Sequence, residues 1–154
     1  MEETIGRVLY HTEHTDCMTY FQITGKFDPD EITAYLRIPP EKVRRIGDVS
    51  PNGTVCKQAL WRFGTCTDYQ QDVSRQMMMT LEQLLPKSDL LRKIKLTYDA
   101  RLLLAVVPLV RYDEPAPALA PSLSVMRFCM ETGTEIKIDL YVGCPDDIAS
   151  GGSM

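Results

Sequence analysis

The chain has 154 residues, 44% of them hydrophobic and 25% charged, with a formal net charge of −4. That length suits one domain able to bury a core without disulfide or metal staples. The acidic balance argues against a nucleic-acid binder, which carries an overall or segregated basic excess, although it leaves room for a local basic patch. The five cysteines are Cys17, Cys56, Cys66, Cys129 and Cys144. They are widely spaced with no CxxC pair, so neither a zinc ribbon nor a thioredoxin-like motif is indicated. Most lie in or beside apolar stretches, where a reduced cysteine packs as a small hydrophobe. The expectation is a cytoplasmic protein with structural thiols.

The opening residues Met1-Glu2-Glu3 lack the basic start and long apolar run of an export signal. The longest apolar run, Leu102–Val107, falls far short of the ~20 residues of a membrane helix. A short strand around Ile5–Tyr10 is possible. The β-branched and aromatic stretch Cys17–Gly25 predicts a strand.

Asp28-Pro29-Asp30-Glu31 then has the form of a helix start. Asp28 supplies the cap, Pro29 suits the first helical position, and Glu31 completes a capping-box pattern. The acidic side chains also favour the positive end of the helix dipole. Ile32 and Leu36 face inward, and Pro39 forces Ile38 to be extended and closes the helix. With each carboxylate given a structural task, and no neighbouring His or Cys, the segment reads as helix punctuation rather than a metal site.

A turn at Ser50–Gly53 introduces a strand over Val55–Gly64. Val73, Met77, Leu81 and Leu84 form an apolar helical stripe stopped by Pro86, with Met78 at its margin and Met79 outside it. Ser88 is positioned to cap a shorter helix with Leu90, Leu91 and Ile94 inward. Arg101–Val110 predicts a buried strand whose Pro108 marks an end or an edge position. After a Pro/Ala loop, Leu123–Thr132 predicts a helix ended by Gly133. Ile136–Val142 alternates strictly, with Ile136, Ile138, Leu140 and Val142 on one face and Lys137, Asp139 and Tyr141 on the other.

These elements imply an α+β fold: one sheet of four or five strands with helices packed mainly on one face. They form a single domain over 1–154, with a core of about 17–144, an N-terminal segment 1–16 and a flexible tail 145–154.

The order of motifs also carries a resemblance. The stretch "YFQITGKFDPDEITAYLRIPPEKVRRIGD", a strand tryptophan at Trp61, "LEQLLPK" and "ETGTEIKIDLYV" together resemble the bacterial DUF4279 family of small domains over about Cys17–Val142. The doubled proline Pro39-Pro40 and the wealth of Cys and Met depart from that pattern. The resemblance implies the α+β fold and leaves function open, because the family brings no reaction with it.

Four groups are candidates for function. His11 and His14, with Asp16 and Cys17, contain zinc-ligand chemistry, but the surroundings do not read as a helix; a solvated loop is the alternative. Arg37, Lys42, Arg44 and Arg45 offer a grip on phosphate or an acidic protein, or else a turn that neutralises nearby carboxylates. Asp139 and Tyr141, joined by Trp61 if its strand parity brings it there, would form a recognition surface. The alternative puts Trp61 in the core and gives Asp139 a structural partner. Met77-Met78-Met79 reads as an adaptable surface or as core and shoulder packing.

No G-x-S-x-G, Walker loop or dinucleotide fingerprint is present. The expectation is therefore a non-catalytic binding or protein-interaction module, with no cofactor and either a protein or a small-molecule partner. Neither nucleic acid nor membrane is expected as a partner. Toxin-neutralising immunity, or a small enzyme with a cleft around Asp139 and Tyr141, are the alternatives. Open sheets also leave edges through which a homodimer can form.

Overall fold

A computed structural model describes residues 14–143. The segment Ile5–Tyr10, His11, Cys144 and the tail 145–154 lie outside the described residues. Six strands build the sheet: β1 (Asp16–Gly25), β2 (Lys42–Arg44), β3 (Ala59–Cys66), β4 (Arg101–Arg111), β5 (Thr134–Ile138) and β6 (Tyr141–Gly143). Their order is β2-β3-β1-β4-β5, with β6 also pairing to β4. β1 is antiparallel to both β3 and β4, and β5 and β6 run parallel to β4.

Four helices pack on one face: α1 (Pro29–Leu36), α2 (Val73–Leu81), α3 (Ser88–Tyr98) and α4 (Leu123–Thr132). Several of their ends have a local cause. Asp28 accepts from the Asp30 N–H at 2.9 Å, and Arg37 closes α1 in the left-handed region with φ 56°. The Lys87 ammonium donates to the Leu36 carbonyl at 2.6 Å, placing a cation at the negative end of α1. Asp72 caps α2 and Ser122 caps α4, which ends at Gly133 with φ 72°.

The principal core joins Phe21, Ile23, Trp61, Leu102, Leu104 and Val106 of the sheet to Ile32, Leu36, Met77, Leu81, Leu91 and Phe128 of the helix layer. The predicted α2 stripe, Val73, Met77, Leu81 and Leu84, is buried throughout, and Met79 is exposed.

A bulge in β3 shapes the join between sheet and α2. Thr19 faces Cys66 and Phe21 faces Phe63, so β3 carries one extra residue there. Gly64 takes the strain with φ 79°. A buried polar network stitches the region: Thr80 Oγ1 donates to the Gly64 carbonyl at 2.7 Å and lies 2.7 Å from Thr19 Oγ1. Gln76 Nε2 donates to the carbonyls of Cys17 at 2.8 Å and Cys66 at 3.0 Å. These bonds satisfy backbone acceptors at the end of the β1–β3 ladder, where leaving them unpaired would be costly.

Several expectations are corrected. The basic turn contains a strand, β2, and the strand expected from Val55 begins at Ala59. Ser88 opens α3 rather than capping it, its hydroxyl donating to the Leu85 carbonyl at 3.0 Å. Pro108 stands inside the central strand β4. Its nitrogen faces the β5–β6 side: Asp139 N–H donates to the Val106 carbonyl at 2.8 Å. The next ladder bond would run from residue 108 to the Asp139 carbonyl, and proline has no N–H to give. The edge strand therefore breaks into β5 and β6 while keeping one register, Val106 beside Ile138 and Leu109 beside Tyr141. The apolar face of that edge is covered only at its start, where Ile136 packs against the core. Ile138, Leu140 and Val142 are 45%, 52% and 52% exposed, because the described helices cover β4 and stop short of the edge.

Candidate binding surfaces

Arg45 follows β2 directly and reaches back to the start of α1. Its guanidinium donates to Asp28 Oδ1 at 3.0 Å and Asp30 Oδ1 at 2.8 Å. The hydrogen bond from Arg45 holds the Asp30 carboxyl below its ordinary range. All three side chains are well exposed, so this clasp adds little stability and chiefly orients the helix start. Burial, and then the charge of the Glu31 carboxylate, push the Tyr98 hydroxyl above its ordinary range.

Trp61 does not reach the surface. It is fully buried on the helix side of β3, its indole N–H donating to Thr33 Oγ1 at 3.1 Å and its ring stacked on Phe63. Two strands separate β3 from β5, so about 14 Å of sheet divides it from the Asp139 strand. The expected Trp61–Asp139–Tyr141 surface is not assembled.

On the face turned away from the helices, directly opposed residues show which side chains meet. Lys42 opposes Arg62 and Arg44 opposes Leu60, while Arg62 opposes Gln22. The Arg62 guanidinium lies 4.0 Å from the centre of the Tyr20 ring and donates to Gln22 Oε1 from Nε at 3.1 Å and Nη2 at 2.8 Å. Burial, and then the charges of Arg44 and Arg62, push the Lys42 amine down to about 8. Arg44 thus belongs to a basic row, whereas its neighbour Arg45 turns to α1.

Asp139 and Tyr141 lie on this same face, since they continue the parity of Lys137. The Tyr141 hydroxyl donates to Asp139 Oδ2 at 3.2 Å. The face is not purely polar there: Tyr141 and Tyr20 pack against a small buried cluster of Met18, Val107 and Leu109.

His14 meets Glu114, not a metal set. His14 Nδ1 lies 3.1 Å from Glu114 Oε2, and the Thr15 N–H donates to Glu114 Oε1. That backbone bond, helped by His14, holds the Glu114 carboxyl below its usual range. The pair borders a cleft of about 390 Å³ lined also by Tyr69, Gln70, Gln71 and Pro115. Gln70 and Gln71 both have left-handed backbones, φ 40° and 63°, a strain nothing in their side chains announces. Among the described residues, no group of three or more His, Cys, Asp and Glu is arranged to hold a metal. Asp16 accepts from the Cys17 N–H at 2.8 Å, while the Cys17 side chain enters the core.

The thiols divide by environment. Burial, and then the Asp16 charge, push Cys17 up to about 12, and burial pushes Cys129 up to about 11. An acid whose folded pKa is raised contributes stability that is present below its unfolded value and lost as pH rises through the folded one. Stability should therefore fall between about pH 9 and 12, and less so in Cys17→Ala. At neutral pH, alkylation followed by peptide mass analysis should label half-buried Cys56 well ahead of Cys17 and Cys129. Equal labelling would contradict this packing.

Besides exposed apolar residues on the helices, such as Leu96, Leu123 and Met130, a row of them lies at each of the two sheet edges. Val43, Ile46, Val49 and Val55 line β2 and the hairpin after it, which closes through a Val49–Val55 bridge. Ile138, Leu140 and Val142 line the other edge. Strand parity placed the second group on one face without saying whether it is covered, and the shortness of β2 hid the first.

An open mixed sheet with helices on one face defines an α+β domain. The chain matches the family model described as Domain of unknown function (DUF4279) over residues 14–143, and it belongs to that family. No curated protein and no solved structure matches it. Among the described residues no helix is long and apolar enough to cross a membrane.

Proposed function

We propose that the protein is a non-catalytic, cytoplasmic binding module that recognises another protein through the β2 edge of its sheet. One observation carries this reading: Val43, Ile46, Val49 and Val55 are all exposed along a single strand edge and its hairpin. Clustered apolar exposure at an edge that presents backbone donors and acceptors is the arrangement used for strand addition. The adjacent Lys42 and Arg44 favour a partner with acidic residues at the rim. Neutralisation of a toxin is one form of such binding. The enzymatic alternative needs a cleft at Asp139 and Tyr141; among the described residues, clefts of about 390, 330 and 320 Å³ are lined by other side chains.

Ile46→Ser with Val49→Ser tests the reading, since both side chains are more than half exposed and surface changes of this kind alter stability by only about 0.5 kcal/mol each. A native partner captured by the wild-type chain should be lost, about tenfold or more, by the double variant. Equal capture by both would place the binding surface elsewhere.

A further inference from the structure

The opposite edge carries a different message. The Asp139 N–H points into the sheet, to Val106, so along this strand the odd-numbered residues bond β4. The backbone groups of Thr134, Ile136, Ile138, Leu140 and Val142 point outward. Among the described residues no strand pairs with them. The side chains of the same five residues lie on the helix side, and three of them are exposed large hydrophobics.

The sequence Thr134–Val142 is self-complementary about Ile138. An antiparallel copy centred there sets Ile138 against Ile138, Ile136 against Leu140 and Thr134 against Val142 on the helix side. On the other face it sets Lys137 against Asp139, once on each side of the axis, and Glu135 against Tyr141. Outward-pointing residues oppose outward-pointing residues, so both backbones can exchange their hydrogen bonds. A slip by one pleat in one direction puts Lys137 opposite itself and Glu135 opposite Asp139. A slip in the other direction puts Asp139 opposite itself. Like charges directly opposed are destabilising and unlike ones favourable, so charge selects one register of the three.

We infer that the β5–β6 edge pairs with the same edge of a second copy of this chain, antiparallel, with the two-fold axis beside Ile138. The result is one continuous sheet across an isologous dimer, in which exposed Ile138 lies beside its own copy, Leu140 beside Ile136 and Val142 beside Thr134 of the second chain. Lys137 and Asp139 set the register, which gives Asp139 a role across the interface. The surface differs from the β2 edge, so failure of either proposal leaves the other standing.

Light scattering on the eluting full-length chain, over a range of loading concentrations, tests this. The wild type should be a dimer, and Ile138→Lys, which opposes two cations on the axis at an exposed position, should be a monomer with unchanged circular dichroism. Lys137→Asp alone should raise the dissociation constant about tenfold by facing Asp139 with another carboxylate. Lys137→Asp combined with Asp139→Lys should recover the dimer. A wild type that stays monomeric, or a dimer indifferent to Ile138→Lys, overturns the inference. Failure of the exchanged pair to recover association overturns the register.

Discussion

Replacing Trp61 with alanine is expected to remove about 3–5 kcal/mol of unfolding free energy. That is a large share of the roughly 5–15 kcal/mol that stabilises a domain. The indole is fully buried, among the largest side chains in the core, and spans β3 to α1 through its bond to Thr33. Thr33 Oγ1 in turn donates to the Pro29 carbonyl at 3.2 Å, so the contact fixes the first turn of α1 as well. Trp61→Phe keeps most of the ring but leaves the Thr33 hydroxyl without its donor, and should cost about 1–2 kcal/mol. Chemical denaturation followed by circular dichroism measures both, since the variants lose the only tryptophan. If Trp61→Ala unfolds like the wild type, the residue is a recognition group after all and its burial here is wrong.

The second large effect is expected at Gly64. A β-carbon there would lie 2.5 Å from the Thr80 carbonyl oxygen and 3.1 Å from Thr80 Cγ2, on a backbone with φ 79°. Conformational strain and the displaced helix turn together predict about 2–4 kcal/mol for Gly64→Ala. Moving α2 would also pull Thr80 from the Gly64 carbonyl and Gln76 from the Cys17 and Cys66 carbonyls. Gly53 is the control: φ is 85° but nothing lies within 4 Å. Gly53→Ala carries the backbone strain alone and should cost about 1–2 kcal/mol. Equal losses at the two positions would mean that the bulge is not packed against α2 as described.

Sequence-level signals located what depends on local chemistry. The Asp28 cap, the Gly133 stop, the α2 stripe and the strands β1 and β4 follow from residues a few positions apart. What escaped depends on partners far along the chain. β2 is only Lys42–Arg44, and a charged three-residue edge strand has no period to detect. Pro108 looks like a boundary unless it is known that its nitrogen faces the Asp139 carbonyl. The β3 bulge shows only in the register between Thr19 and Cys66.

The candidate surfaces were legible to the same extent. Asp139 and Tyr141 share a face, as strand parity requires, and they touch. Trp61 was ambiguous because parity states which residues share a side and not which side the helices cover. Arg44 and Arg45 part company for the same reason, one on the sheet face and the other folded back onto α1. The strict alternation of Ile136–Val142 shows which residues share a face and not whether that face is covered. At an edge the helix layer stops short, and the same apolar row becomes a surface.

Native mass spectrometry of the purified, untreated chain tests most directly the claim that this domain works by binding other proteins. The account predicts masses that are sums of whole polypeptides, with no small molecule or metal released on denaturation. A single chain carrying an extra small mass that disappears on denaturation would contradict it, and would point instead to a ligand pocket such as the His14–Glu114 cleft.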